Sequence, residues 1–331
     1  MMKVSVLLIT YNHENYLGQA LDGILMQKVD FDYEIVVGED CSTDSTRQVI
    51  KDYMDRYPNK IRLISSESNV GPIKNFIRTY KSCNGKYIAM IDGDDYWTSP
   101  DKLQKQADFL DRNSYFSIVF HPIINRDEMD GKIGGFTWPK NPKEEYTIEE
   151  LLKECFIHTA SVMCRNGLFG DFPDWFHSTI MYDWPLHVLN AQYGRIGCLP
   201  DVMAVYRIHG GGLWSSLEKP STHLEYIKFY NAINLHFHKR YNDIIKSRLN
   251  YHDCILSNIY YELALQNEES GNLRSSRAYV IKSIYYNPLN ANNKYVSEKV
   301  PYTDKIKLLF RIHLPLTYKF IKKVCFSVSN R

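Results

Sequence analysis

The chain has 331 residues, 44% of them hydrophobic and 24% charged, with 40 basic against 38 acidic side chains and a formal net charge of +2. That composition excludes disorder, its 17 Gly and 13 Pro exclude fibrous and low-complexity classes, and its charge balance argues against wholesale nucleic-acid binding. The length accommodates one large α/β domain with an appendage, or two ordinary domains.

Val4–Ile9 reads as a buried strand. Its apolar run stops at Thr10-Tyr11-Asn12-His13-Glu14 without a small-residue cleavage site, so a buried first strand is expected rather than a signal peptide. A helix over Tyr16–Gln27, a strand over Tyr33–Val37 and a helix over Asp44–Tyr57 follow. Next come a strand over Ile61–Ser65, a helix over Pro72–Lys81 and a strand over Tyr87–Ile91. This alternation predicts a largely parallel sheet covered by helices, with ligands at the carboxyl ends of its strands. Four polar clusters fall there: Thr10-Tyr11-Asn12, Glu39-Asp40, Ser68–Gly71 and Asp92-Gly93-Asp94-Asp95.

From about Phe116 to Trp214 the pattern is irregular and rich in aromatics, Gly and Pro. From about Pro220 it is helical. Residues 251–290 resemble one tetratricopeptide-type helix–turn–helix, with Gly271-Asn272 at the turn and Asn287-Pro288 closing the second helix. Residues 304–331 form a basic, amphipathic tail interrupted by Pro315. The expected divisions are therefore 1–219, 220–303 and 304–331. The 7 cysteines are irregularly spaced with no CxxC pair, and no apolar run approaches a membrane span, so a reduced, cytoplasmic setting is expected.

The strongest chemical signal is Tyr87–Trp97, a buried strand running into Asp92, Asp94 and Asp95. Three carboxylates so close repel one another, and a hard divalent cation relieves that repulsion. Mg2+ or Mn2+ bound by carboxylates and phosphate oxygens is a common nucleoside-diphosphate site. The plainer alternative is an acidic turn before a helix capped by Ser99 or Asp101. In the second cluster, Asp44 suits a helix cap, whereas Asp40 lies where a carboxylate can accept a hydrogen bond from a base N–H.

These motifs, VSVLLITYN (4–12), EIVVGEDCSTDST (34–46), Asn69-Val70-Gly71 and Asp92–Asp95, occur in the order found in family 2 glycosyltransferases, which the chain resembles over about residues 1–215. The resemblance implies a GT-A fold, Rossmann-like with a mostly parallel central sheet flanked by helices, and a nucleotide-sugar donor. It implies that Thr10, Tyr11 and Asn12 line the base, with Asp40 reading it. Asn69, Gly71, Asn75 and Gly93 would lie on the ribose and diphosphate side, with Lys74 as a phosphate contact. Asp92 would approach the ribose or the metal's outer shell, and Asp94 would ligate Mn2+ or Mg2+. Glu39 departs from the family, which often carries a second Asp there.

The resemblance also implies an inverting displacement whose base lies in the second half of this domain. Asp183, in Met181–Leu186, is the candidate. The family's acidic pair is here Tyr182-Asp183, and the competing reading of Asp183 is an N-cap. His158 reads equally as an acceptor contact or a core histidine. In Tyr206–Trp214, three glycines after His209 imply a close-approach loop, with His209 completing the metal shell and Trp214 covering the sugar, or an ordinary surface loop.

The tail suits adsorption to an anionic membrane surface, and hence a lipid-linked saccharide acceptor, or else packs on the domain with its charges facing water. The expected partners are thus a nucleotide-sugar (UDP-linked by the family's habits), a saccharide acceptor and that surface, with no nucleic acid. The alternatives are a sugar-1-phosphate nucleotidyltransferase, for which the first loop is poor in Gly and base, and a non-catalytic helical interaction protein.

Overall fold

The apolar run at the N-terminus is strand β1 (Val4–Thr10), buried at every position because helices cover both faces of its sheet. The computed structural model describes residues 2–139, 141–212, 217–287 and 300–313. It divides into two units, Met1–Ser215 and Ser216–Arg331.

In the first unit β1 is followed by α1 (Leu17–Leu25), β2 (Tyr33–Glu39), α2 (Thr46–Arg56), β3 (Ile61–Ser65), α3 (Pro72–Lys81) and β4 (Tyr87–Asp92). These seven elements match the alternation read from the sequence. Gly71, at φ 86°, and Pro72 start α3: the glycine takes the left-handed turn and the proline presets the first helical φ. Then come β5 (Tyr96–Trp97), α4 (Lys102–Arg112), β6 (Phe116–Phe120), β7 (Ile123–Asp127), β8 (Ile133–Trp138), β9 (Glu145–Tyr146), α5 (Ile148–Leu151) and β10 (Met163–Arg165). The unit ends with α6 (Asp183–Ala191), β11 (Arg195–Cys198) and β12 (Ala204–Ile208).

The main sheet has the order β3-β2-β1-β4-β10-β6-β11-β9. Strands β1 to β4 are mutually parallel, and β10 enters antiparallel between β4 and β6. After β1 the chain winds outward through β2 and β3, then returns to place β4 on the other side of β1. The carboxyl ends of β1 and β4 therefore flank a topological switch point, where α/β sheets open a crevice. A second sheet, β5-β12-β7-β8, carries β12 beside the segment that follows β4.

The second unit consists, among its described residues, of α7 (Lys219–His236), α8 (Asn242–Glu269), α9 (Leu273–Tyr286) and α10 (Tyr302–His313). Helices α8 and α9 form a hairpin whose turn holds Gly271 at φ 79°. Serines at its seam bond across it: Ser257 Oγ to Ser283 O and Ser283 Oγ to Ser257 O, each 2.7 Å. Helix α10 buries Leu308 and Ile312 with Ala264 of α8 and Val280 of α9. Lys305, counted above among the basic tail residues, is instead buried on that same stripe. Its Nζ donates to Ser257 Oγ at 2.6 Å and Asn287 O at 3.2 Å, and burial pushes its amine below the usual range. Residues 314–331 of the tail lie outside the described residues.

Candidate active site

Three segments leave neighbouring strands at the switch point and are tied by their own backbones. Asp40 N donates to Thr10 O at 3.2 Å, and Gly93 N to Ile9 O at 2.9 Å. The β1 and β2 exits are also bridged by Asn12, whose N donates to Ser42 Oγ at 3.0 Å and whose Oδ1 accepts from Thr43 N at 2.8 Å. Tyr11 projects to solvent beside it. Gly93 permits the closest approach: a Cβ there would stand 2.7 Å from Thr10 Oγ1 and 2.9 Å from His13 Nδ1. Neither of those two atoms has a hydrogen-bond partner among the described residues.

Asp92, Asp94 and Asp95 each place one carboxylate oxygen within 4.8 Å of the others. Asp95 is buried. One of its oxygens accepts from Arg207 N at 2.9 Å, and the other has no partner among the described residues. Burial, and then the charges of Asp94 and Asp92, hold its carboxyl well above the usual range. Asp92 accepts a hydrogen bond from the Tyr182 hydroxyl. Burial, then Asp94 and Asp183, push it up to about 8. Asp94 differs. Burial works to raise it, but His209 Nε2 at 3.0 Å and His13 Nε2 at 3.7 Å hold it below the carboxylate range. His209 Nδ1 also lies 3.3 Å from Gly211 N, which donates to it.

This is a charge-frustrated cluster of three hard oxygen donors, a set that fits a divalent cation, with the His209 imidazole beside Asp94. His209 reaches it through β12. Arg207 on that strand donates to Asp94 O and Gln19 Oε1, pairs with Glu128 at 3.0 Å and lies over Tyr96 at 4.4 Å.

Asp183 is the first residue of α6. The preceding Tyr182 links that helix end to Asp92 and stacks on Phe76 of α3, centroids 4.5 Å apart and planes 14° from parallel. Burial raises the Asp183 carboxyl against an opposing amide hydrogen bond from Trp184. His158 lies against Tyr206, ring centroids 4.2 Å apart and planes tilted by 50°, and burial lowers it to about 4, so it is neutral near pH 7.

Thr10, Asp92, Gly93, Asp94, His209, Asp183 and His158 therefore belong to one region. Two expected ligands are turned inward instead. Asp40, 2% exposed, accepts from Val70 N and Gly71 N at 2.9 Å each, so its carboxylate holds the loop before α3 rather than standing free for a base. Asn75 is buried, its Nδ2 donating to Gly38 O at 2.9 Å and its Oδ1 accepting from Arg78, so it joins α3 to β2 rather than lining a diphosphate. Asn69 Oδ1 accepts from Gly71 N at 2.9 Å, and Lys74 is exposed on α3. Trp214 lies outside the described residues. The departure at Glu39 has a physical reason: the longer side chain reaches Arg47 Nε at 2.7 Å while accepting from Ser42 N at 2.5 Å.

Sequence reasoning gave no role to His13 or Arg207, and gave Asp95 none beyond its place among the three carboxylates. His13 follows Asn12 directly and Arg207 precedes His209 by two residues, but only the folded chain shows both beside Asp94.

The sequence profile described as glycosyl transferase family 2 matches residues 5–172, about half of the chain. The chain belongs to glycosyl transferase family 2. An uncharacterised protein of Mycobacterium tuberculosis, Rv1520, is 38% identical over 214 residues, 64% of this chain and 61% of that one. This chain thus spans less than two thirds of that relative's length. WfgD of Escherichia coli, named a UDP-Glc:alpha-D-GlcNAc-diphosphoundecaprenol beta-1,3-glucosyltransferase, is 27% identical over 59% of this chain and 73% of its own. Residues 1–349 of S. aureus TarS, solved in complex with UDP-GlcNAc, superpose with a TM-score of 0.53 at 21% identity, covering 85% of this chain and 82% of that one. The fold is GT-A, as expected: a mostly parallel central sheet flanked by helices, with helices at the C-terminus.

Proposed function

We propose that the chain is an inverting glycosyltransferase that moves a sugar from a UDP-sugar to a hydroxyl of a lipid-linked saccharide, in surface polysaccharide assembly at the cytoplasmic face of the membrane. The observation that carries this reading is the carboxylate cluster of Asp92, Asp94 and Asp95 at the switch point, with Asp183 at the facing helix end. The names of WfgD and TarS support the donor class, and that of WfgD the acceptor class.

In this reading Thr10, Tyr11 and Asn12 wall the base, while Asp40 fixes the Asn69–Gly71 loop beside the ribose. Lys74 approaches the diphosphate. Gly93 lets the β4 exit close against Thr10 and His13 beside the donor. Asp94, Asp92 and His209 would hold a divalent cation, Mn2+ or Mg2+, which when bound neutralises charge on the diphosphate. Asp183 accepts the proton of the acceptor hydroxyl as that oxygen bonds to the anomeric carbon, and the bond from that carbon to the UDP oxygen breaks on the opposite face. Its raised carboxyl suits a base poised nearer neutrality than an exposed Asp. Tyr182, in place of the family's first acid, holds Asp92 without adding a fourth negative charge. His158, neutral, offers a hydrogen bond to the acceptor.

A panel of nucleotide-sugars assayed with Mn2+ or Mg2+, with lipid-linked saccharide acceptors, tests this reading. Cation-dependent release of UDP with glycosylation of the acceptor is expected. Release of pyrophosphate from a nucleoside triphosphate and a sugar phosphate, or no turnover with any donor, would overturn it.

A further inference from the structure

The charges of this near-neutral chain are segregated. Residues 270–331 carry 12 basic and 2 acidic side chains, leaving 28 basic against 36 acidic in the rest. Helix α9 lies within this basic stretch, has no acidic residue, and exposes Leu273, Ile281 and Tyr285, the last two at 53% and 76%. Arg274, Arg277 and Lys282 are exposed on it as well. At 3.6 residues per turn, these six positions fall within one arc of about 180°, apolar and basic side chains interleaved. The buried face, Ser276, Val280 and Ser283, is the opposite one. Helix α10, packed against α9, exposes Phe310 as well, while its Lys307 is paired with Asp304 at 3.1 Å. The preceding acids, Glu268 and Glu269, end α8, and Glu268 is paired with Arg311 at 2.6 Å.

We propose that the outer face of α9, continued by α10, binds an anionic phospholipid surface. Apolar side chains enter the acyl boundary while the flexible stems of Arg and Lys carry their charges up to lipid phosphates. A self-association face fits poorly, because like charges would oppose across it and charged residues are depleted from interface cores. Nucleic acid would match the charge but leave the Leu and Ile side chains without a partner. The contact lies in α9, apart from residues 314–331, and is independent of the reaction carried out by the first unit.

The full chain, without donor or acceptor, is sedimented with phosphatidylcholine vesicles with and without phosphatidylglycerol. Binding only to the phosphatidylglycerol vesicles, weakening with salt, is expected. Arg274→Glu/Arg277→Glu/Lys282→Glu, its helicity confirmed by circular dichroism, should bind roughly 100-fold more weakly or worse. Leu273→Ser/Ile281→Ser/Tyr285→Ser should weaken binding at high salt, where charge is screened. Both effects should persist in a chain lacking residues 314–331. Binding unchanged by the charge reversal, or wholly abolished by that deletion, overturns the proposal. So do tighter binding to duplex RNA than to vesicles, and a concentration-dependent dimer broken by the serine variant without any vesicle binding.

Discussion

Tyr182→Phe removes one hydroxyl and leaves the ring to stack on Phe76 at 4.5 Å, so the local packing is kept. What it deletes is the hydrogen bond to Asp92, the carboxyl that burial and its acidic neighbours already push up to about 8. A hydrogen bond to a charged group contributes about 1.5–3 kcal/mol. At 1.36 kcal/mol per pKa unit, its loss lowers the ionised fraction of Asp92 at neutral pH by about ten- to a hundredfold. Cation binding must displace that extra proton, so Mn2+-dependent UDP affinity should fall by a similar factor. The deficit should close as pH rises, because an acid with an elevated pKa is deprotonated at higher pH. Titration calorimetry at two pH values, with thermal melting to confirm the fold, measures both. Unchanged affinity at neutral pH, or a loss that does not recover in base, refutes the reasoning.

Gly93→Ala drives a Cβ to 2.7 Å from Thr10 Oγ1, closer than side chains stand without rearrangement. Overpacking should cost about 1–3 kcal/mol, read as a shift in the denaturant midpoint, together with weaker UDP binding; an unshifted midpoint contradicts it. Asp94→Ala should abolish cation-dependent protection by UDP against thermal unfolding, and full protection would remove Asp94 from the cation's donor set. Because burial raises Asp183 and only its ionised form accepts a proton, the acid limb of kcat should lie above the ordinary carboxylate range. Activity should fall as pH drops through that raised value, and a limb at or below pH 4 would assign the base elsewhere.

The core of the fold was legible because parallel strands buried on both faces are written as unbroken apolar runs. Tyr87–Ile91 is such a run and Val4–Ile9 is one but for the buried Ser5, and their polar exits pointed to the site. What stayed hidden came from pairing over long sequence distances. The three residues of β10 are too short to carry a period, yet they separate β4 from β6. Strand β12 is unremarkable in sequence: the residues single out His209 just after it for the metal shell, but not the pairing of β12 with β5 that carries it to Asp94. Motif reading also assigned polar residues outward where the backbone needed them. Asp40 satisfies two loop amides and Asn75 a strand carbonyl. Lys305 misled in the same sense: it occupies the i, i+3, i+7 stripe with Leu308 and Ile312, a position that polarity alone assigns to water.

The central claim, a base-catalysed transfer at the Asp92–Asp95 cluster, is tested most directly with Asp183→Asn. Donor affinity in the presence of the cation is measured beside turnover, for wild type and variant, with the same UDP-sugar and acceptor. The account predicts near-native affinity for the donor and turnover reduced about 10²–10⁴-fold. Near-normal turnover with unchanged binding would contradict it.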